Sequence, residues 1–342
     1  MCTGIRLKAD NGAIIYARTL EFAQDIDSEI CILPRGYHCA GTTPQGIGTG
    51  LQWQTRYAVV GANACHEIGV IDGVNEHGLA GGLFYFSNYA QYQPMSDPSK
   101  TLAPWELMTY ILTTCATIEQ VRALLPTITV TDVLFEPWRS SIPLHAIVHD
   151  SSGKSLVIEY VQGKLTMHDD PLGVITNAPT FDWHITNLDN YLNLSPYNPA
   201  FAKASAGTHN PNTQEPAPLG QGSGMLGLPG DFTSPSRFVR AVAFSTNVVD
   251  IPTENAARDA AFHLLNLFDI PHGSIREHED HEIMYERTQW TSCVDLRNKR
   301  YYWHTYATRQ LQMVDLMRAD LTAKEAVIIP MEAKEVIVDR TP

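Results

Sequence analysis

The most reactive chemistry in the chain sits at its second residue. Cys2 follows Met1, and an initiator methionine is removable ahead of so small a residue. Removal would leave a cysteine with a free α-amine, which puts a nucleophile and a base on one residue. The amine titrates at about 7.7–8.0 and the thiol at about 8.5, so at neutral pH the amine can take the thiol proton with no histidine involved. A thiolate also calls for a positive neighbour. Arg18 lies on the second expected strand, where a short hairpin would bring it across from Cys2.

Two other spellings are weaker. Gly222-Ser223-Gly224-Met225-Leu226-Gly227 matches GxGxxG, but no strand precedes it, and Pro229 and Gly230 interrupt the helix that a dinucleotide fold needs there. It is read as a loop, and no cofactor is expected. His278 and His281 stand in an acidic run from Glu277 to Glu282 without the spacing that places two metal ligands one helical turn apart. That run is read as a solvated charged loop. The 13 histidines share no repeated spacing, so a metal-dependent hydrolase rests on their number alone and no metal is expected. The cysteines Cys31, Cys39, Cys65, Cys115 and Cys293 form no CxxC. They read as buried small hydrophobes of a reduced, intracellular protein.

These residues need a scaffold. Alternating or β-branched segments recur at 3–7, 13–18, 29–33, 57–60, 144–148, 155–161, 288–294 and 299–306, with turn signals such as Asp10-Asn11-Gly12 between them. Helical spacing appears after Pro104, through Leu107, Met108, Ile111 and Leu112, and again from Ala257 to Phe268. Strand runs broken by blocks of helix, without regular βαβ alternation, predict an α+β layered domain. The 342 residues are expected to form a single domain, with the Pro, Asn, Gly and Ala-rich stretch 195–224 as an excursion from it.

Composition narrows the partners. At 44% hydrophobic and 18% charged residues the chain is neither disordered nor fibrous. A formal charge of −13 argues against nucleic acid or an anionic membrane. The N-terminus lacks the features of a signal peptide, and no apolar stretch reaches about 18 residues, so a cytoplasmic protein is expected.

Several segments together carry a resemblance: Met1-Cys2-Thr3-Gly4; Ala17-Arg18-Thr19-Leu20-Glu21-Phe22; Asp72-Gly73-Val74-Asn75-Glu76-His77-Gly78-Leu79; and the run from Gly173 to His184 around Asn177-Ala178-Pro179-Thr180. Gly220-Gln221-Gly222-Ser223-Gly224, Leu228-Pro229-Gly230-Asp231-Phe232-Thr233 and Ser236-Arg237-Phe238 follow in order. Across essentially its whole length the chain resembles the choloylglycine hydrolase family of N-terminal nucleophile hydrolases, which includes bile salt hydrolases and penicillin V acylases. The resemblance implies a four-layer αββα sandwich of antiparallel sheets and cleavage of linear, non-peptide amides through a cysteine acyl-enzyme. It implies Cys2 as nucleophile once Met1 is lost, Arg18 and Arg237 beside it, and Asn177 as a side-chain donor to the oxyanion. The backbone N–H of Tyr85 would complete the oxyanion hole, and its ring would shape the acyl pocket. Tyr85 falls where bile salt hydrolases tend to have Asn and penicillin V acylases have Tyr, which tilts the expectation to penicillin V acylase-like chemistry. Conjugated bile salts and N-acyl homoserine lactones follow as alternatives. Glu21 stands where the family usually has Asp; the charge is kept and the reach is longer by one methylene, which raises the alternative of a weakened homologue that binds acyl amides. The resemblance also implies a homo-oligomer, tetramer or dimer, with 195–224 where the assembly loop would sit.

Overall fold

The computed structural model describes residues 1–199, 220–279, 282–332 and 334–341. Two antiparallel sheets dominate. In chain order their strands are β1 (Cys2–Lys8), β2 (Ile14–Phe22), β3 (Glu29–Leu33), β4 (Val59–Ala62) and β5 (Asp72–Asn75). They continue with β6 (Ala80–Tyr85), β7 (Leu144–His149), β8 (Ser155–Val161), β9 (Lys164–Asp169) and β10 (Val174–Ile175). The last four are β11 (Arg287–Asp295), β12 (Arg300–Thr305), β13 (Gln312–Asp315) and β14 (Val327–Pro330). One sheet runs β10-β1-β2-β11-β12-β13 and the other β9-β8-β7-β6-β5-β4-β3-β14.

The two sheets lie face to face, and helices cover their outer sides. Helices α1 (Leu107–Thr114) and α2 (Ile118–Leu124) pack on the eight-stranded sheet. Helix α3 (Phe181–Asn187) leads toward α4 (Ser234–Ser245) and α5 (Glu254–Leu265), which cover the six-stranded sheet. The order of layers is therefore αββα, as the resemblance implied. Strand β8 shows why the sequence folds this way. Val157 enters the core between the sheets while Leu156 and Ile158 enter the core beneath α1 and α2. Side chains alternate across a strand, so a strand covered on both faces carries apolar residues on both.

Turn and cap residues fix where elements begin. Asn11 Oδ1 accepts from Ala13 N at 3.0 Å and closes the β1–β2 turn at Gly12, whose φ is +82°. Thr253 caps α5 by accepting from Ala256 N. The helix expected after Pro104 starts with a 3₁₀ turn, Pro104–Glu106, before α1. The expected charged loop at 277–282 is corrected: residues Arg276–Glu279 pair with Glu282–Tyr285 as a hairpin that includes His278, while His281 lies outside the described residues. Of the 195–224 excursion, 200–219 lies outside them as well. Its two ends meet, with Asn198 Oδ1 accepting from Gly222 N at 2.9 Å and Ser223 N at 3.0 Å. The GxGxxG spelling forms a 3₁₀ turn at Ser223–Met225.

Candidate active site

Cys2 is the first residue of β1 and is buried. The β1–β2 hairpin pairs Cys2 with Leu20 and Gly4 with Arg18, so the arginine side chain reaches back along the hairpin to the sulfur. Arg18 Nη2 lies 2.8 Å from Cys2 Sγ. Its other nitrogens are occupied: Nη1 donates to Leu83 O at 2.6 Å and Nε to Thr19 O at 3.2 Å. The guanidinium lies 4.2 Å from the Phe84 ring and 5.3 Å from that of Trp290, which excludes water from it. Burial alone would lower its pKa, but the fields of Cys2, Tyr16, Asp72 and Tyr301 raise it. A cation that keeps its proton is thus held dry against the thiol.

Asn177 follows β10, which pairs with β1 on the side away from β2, and reaches Cys2 from there. Its Oδ1 accepts from Cys2 N at 2.9 Å and from Arg237 Nη2 at 2.6 Å, and its Nδ2 donates to Tyr85 O at 2.7 Å. Both partners of Oδ1 are donors and the partner of Nδ2 is an acceptor, so the orientation of this amide is dictated by its neighbours. Nδ2 carries a second hydrogen, available to a developing oxyanion. The backbone is pinned too: Asn177 N donates to Ser234 Oγ and His184 Nε2 to Asn177 O, each at 2.9 Å. Burial drops His184 to about 4, so its ring is neutral at pH 7. On the neighbouring residues, Glu159 Oε1 accepts from Phe181 N at 2.9 Å and meets His145 Nδ1 at 3.3 Å, while His145 Nε2 bonds Thr176 O at 3.1 Å.

Arg237 stands in the first turn of α4 and is almost fully buried. Besides Asn177 it donates to Cys2 O and to Thr3 Oγ1, and its Nε to Phe232 O at 2.9 Å. Burial lowers its pKa against the fields of Glu21 and Cys2. Asp231 sets the start of that helix by accepting from Thr233 N and Ser236 Oγ at 2.9 and 2.7 Å.

Glu21 is also buried, but its carboxylate turns to Thr288 Oγ1 at 3.3 Å, and Oε2 has no hydrogen-bond partner. Burial raises its pKa, opposed by the N-terminal ammonium and Arg237. Met1 extends the ladder, its ammonium donating to Glu21 O at 2.5 Å and its carbonyl accepting from Glu21 N at 2.8 Å. That ammonium is also 3.9 Å from Glu286 Oε2. With Met1 in place, the nitrogen of Cys2 is an amide.

A cavity of about 310 Å³ opens onto Cys2. Tyr85, the last residue of β6, meets Phe22 edge to face at 5.6 Å; Phe22 stacks on Trp138 at 4.9 Å, and Trp138 meets Phe135 at 5.8 Å. These rings form one aromatic wall. Cys39 and Cys65 line the same cavity half-buried, which corrects the reading of them as core residues. Burial pushes the Cys39 thiol up to about 12 and raises that of Cys65, so both resist becoming thiolates.

The structure thus brings Cys2, Arg18, Asn177, Arg237 and the backbone of Tyr85 together and leaves the Glu21 carboxylate on Thr288. Sequence reasoning assigned no role to His184, Ser234, Glu286 or Asp72. Asp72 opens a family segment, but nothing in its spelling tells which distant hydroxyls surround it. Among the described residues, no three His, Cys, Asp or Glu side chains are grouped to hold a metal ion, and no helix is long and apolar enough to cross a membrane.

Comparison with known proteins places the whole chain in one family. Residues 2–329 match the linear amide C–N hydrolases, choloylglycine hydrolase family. A bile salt hydrolase/transferase of Clostridium perfringens is 32% identical over 333 residues, covering 95% of each chain. A penicillin V acylase of Pectobacterium atrosepticum is 27% identical over 334 residues, 91% of this chain and 79% of its own. The C2A mutant of the conjugated bile acid hydrolase from Clostridium perfringens superposes with a TM-score of 0.85 at 28% identity, with 100% of both chains covered. The chain belongs to the choloylglycine hydrolase family of linear amide C–N hydrolases, with the N-terminal nucleophile hydrolase fold.

Proposed function

We propose that the chain, once Met1 is removed, cleaves an N-acyl amide through a thioester on Cys2, and that an aryl acyl group of the penicillin V kind occupies the aromatic wall. The observation that carries the mechanism is the 2.8 Å contact between Arg18 Nη2 and Cys2 Sγ. The neutral α-amine takes the thiol proton, and the thiolate attacks the acyl carbonyl carbon. The Asn177 amide donates to the resulting oxyanion, with the Tyr85 backbone beside it. Collapse breaks the C–N bond, and the ammonium returns its proton to the departing amine. Water, deprotonated by the same amine, then attacks the thioester and releases the carboxylic acid and the thiol. Arg237 aligns Asn177 and the Cys2 backbone, and the unpartnered Oε2 of Glu21 is an acceptor near the new terminus.

The Tyr85, Phe22 and Trp138 rings support the aryl acyl reading, because flat rings stack or meet edge to face. Conjugated bile salts are the second reading, supported by the activity named for the Clostridium perfringens relative. The test is amine release from penicillin V, glycocholate, taurocholate and an N-acyl homoserine lactone, using protein whose Met1 removal is verified by intact mass. Penicillin V as the best substrate supports the aryl reading, and preferential bile salt cleavage overturns it. Cys2→Ala should abolish turnover with the fold intact; turnover persisting in clean mutant protein rejects the mechanism.

A further inference from the structure

Near Arg18 lies a buried carboxyl group that the reaction scheme does not use. Asp72, the first residue of β5, is fully buried. Its Oδ1 accepts from Tyr16 Oη at 2.9 Å, and its Oδ2 accepts from Ser292 Oγ and Tyr301 Oη, each at 2.7 Å. These hydroxyls come from β2, β11 and β12 of the opposite sheet. The space between Asp72 and Arg18 is kept open by Gly82, where a Cβ would fall 2.5 Å from Tyr16 Oη, 2.8 Å from Asp72 Oδ1 and 3.2 Å from Arg18 Nη1.

A guanidinium this deeply buried needs a compensating charge. The Glu21 carboxylate accepts from Thr288 Oγ1. Asp72, held by three hydroxyl donors, lies across the Gly82 gap from the same cation; burial raises its carboxyl, and the Arg18 charge and those hydroxyls oppose that rise. We infer that Asp72 is the fixed counter-charge of Arg18, a positioning residue that shares the guanidinium with Cys2 and so limits how far the thiolate is stabilised. The inference rests on Cys2 as the proposed nucleophile. A thiolate stabilised without limit would be abundant but sluggish, since nucleophilicity falls with basicity. The other titratable groups facing the pair are Tyr16, Tyr301 and Glu21, with Arg237 beyond them facing Glu21 and Cys2. Cys293 feels the charge of Asp72, and His149 lies against the Tyr16 ring; burial keeps both neutral.

The test is Asp72→Asn, which keeps the shape and removes the charge. Protein with Met1 trimmed is alkylated with iodoacetamide across pH, and the modified N-terminal peptide is quantified by mass, which separates Cys2 from the other thiols. The midpoint should fall by about one pH unit and the plateau rate by about threefold. An unchanged or higher midpoint overturns the inference. A second measurement covers failure to fold: in the Arg18→Leu background the cation is gone, so Asp72→Asn should lose less than half the urea midpoint that it loses in the native background. A loss on Asp72→Asn as large in the Arg18→Leu background as in the native one overturns it. Alkylation needs no turnover, so activity surviving in Cys2→Ala would defeat the nucleophile reading and leave this profile to stand on its own.

Discussion

Replacing Asn177 by Asp separates the two halves of its amide. Oδ1 receives Cys2 N and Arg237 Nη2, and a carboxylate oxygen can go on accepting both. The other half reverses: Nδ2, the donor to Tyr85 O at 2.7 Å, becomes an acceptor facing an acceptor. The oxyanion then loses a donor and meets a negative charge. Loss of one oxyanion donor is worth about 10²–10³ in kcat, or about 2.7–4 kcal/mol. Because the interaction is made in the transition state, kcat and kcat/KM should fall together while KM stays within about threefold. Asn177→Ala differs in stability. It orphans the Arg237 and Cys2 donors, at about 1–3 kcal/mol for each buried group left unsatisfied, whereas Asp gains an ion pair with Arg237. Alanine should therefore be the less stable variant in urea, though both are slow. The assay is initial rates over a range of the best substrate, paired with urea unfolding. Asn177→Asp retaining more than a tenth of kcat would refute the donor role, and an Ala variant as stable as Asp would refute the anchoring role.

Two further perturbations read buried carboxylates in opposite directions. Burial raises the pKa of Glu21 against the N-terminal ammonium, so the folded chain binds that proton more tightly than the unfolded one, and stability falls as pH climbs past about 4.3 toward the raised value. Glu21→Gln should therefore unfold at higher urea than wild type at pH 7, with the gap closing below about pH 4; a less stable variant at pH 7 contradicts this. Burial also works against the Glu159 carboxylate, but His145, His168 and Phe181 N–H outweigh it and hold it at about 2. Its contribution is present at neutral pH and is lost as pH falls from about 4.3 to about 2, so Glu159→Gln should cost about 2–3 kcal/mol at pH 7 and little at pH 2.5. Equal losses at the two pH values would show that the charge is not what holds the segment around Asn177.

Strands were legible wherever local pattern decided them. The stretches 29–33 and 155–161 coincide with β3 and β8, because alternation between two cores leaves a continuous apolar imprint. Helix α4 escaped periodicity reading: its buried residues include Ser236, Arg237 and Arg240, whose polar groups are satisfied by the site and by neighbouring carbonyls rather than by solvent. The proximity of Cys2 and Arg18 followed from a hairpin turn. Asn177 and Arg237 entered through the resemblance, since no local signal carries contacts across 175 and 235 positions. Glu21 shows the reverse limit: its carboxylate meets Thr288, a partner on a strand remote in sequence that no local spelling announces.

The pairing of β2 with β11, in which Thr19 lies opposite Thr291, governs how the protein can come into being. While the ribosome is still making the middle of the chain, the outer edge of β2 has no partner, and a bare edge invites other strands. Contacts this distant in sequence form slowly. When β11 arrives it brings Trp290 over Arg18, Thr288 to Glu21 and Ser292 to Asp72 in one docking event. Completion of β11 thus adds Trp290 over an arginine that β2 already holds beside the thiol.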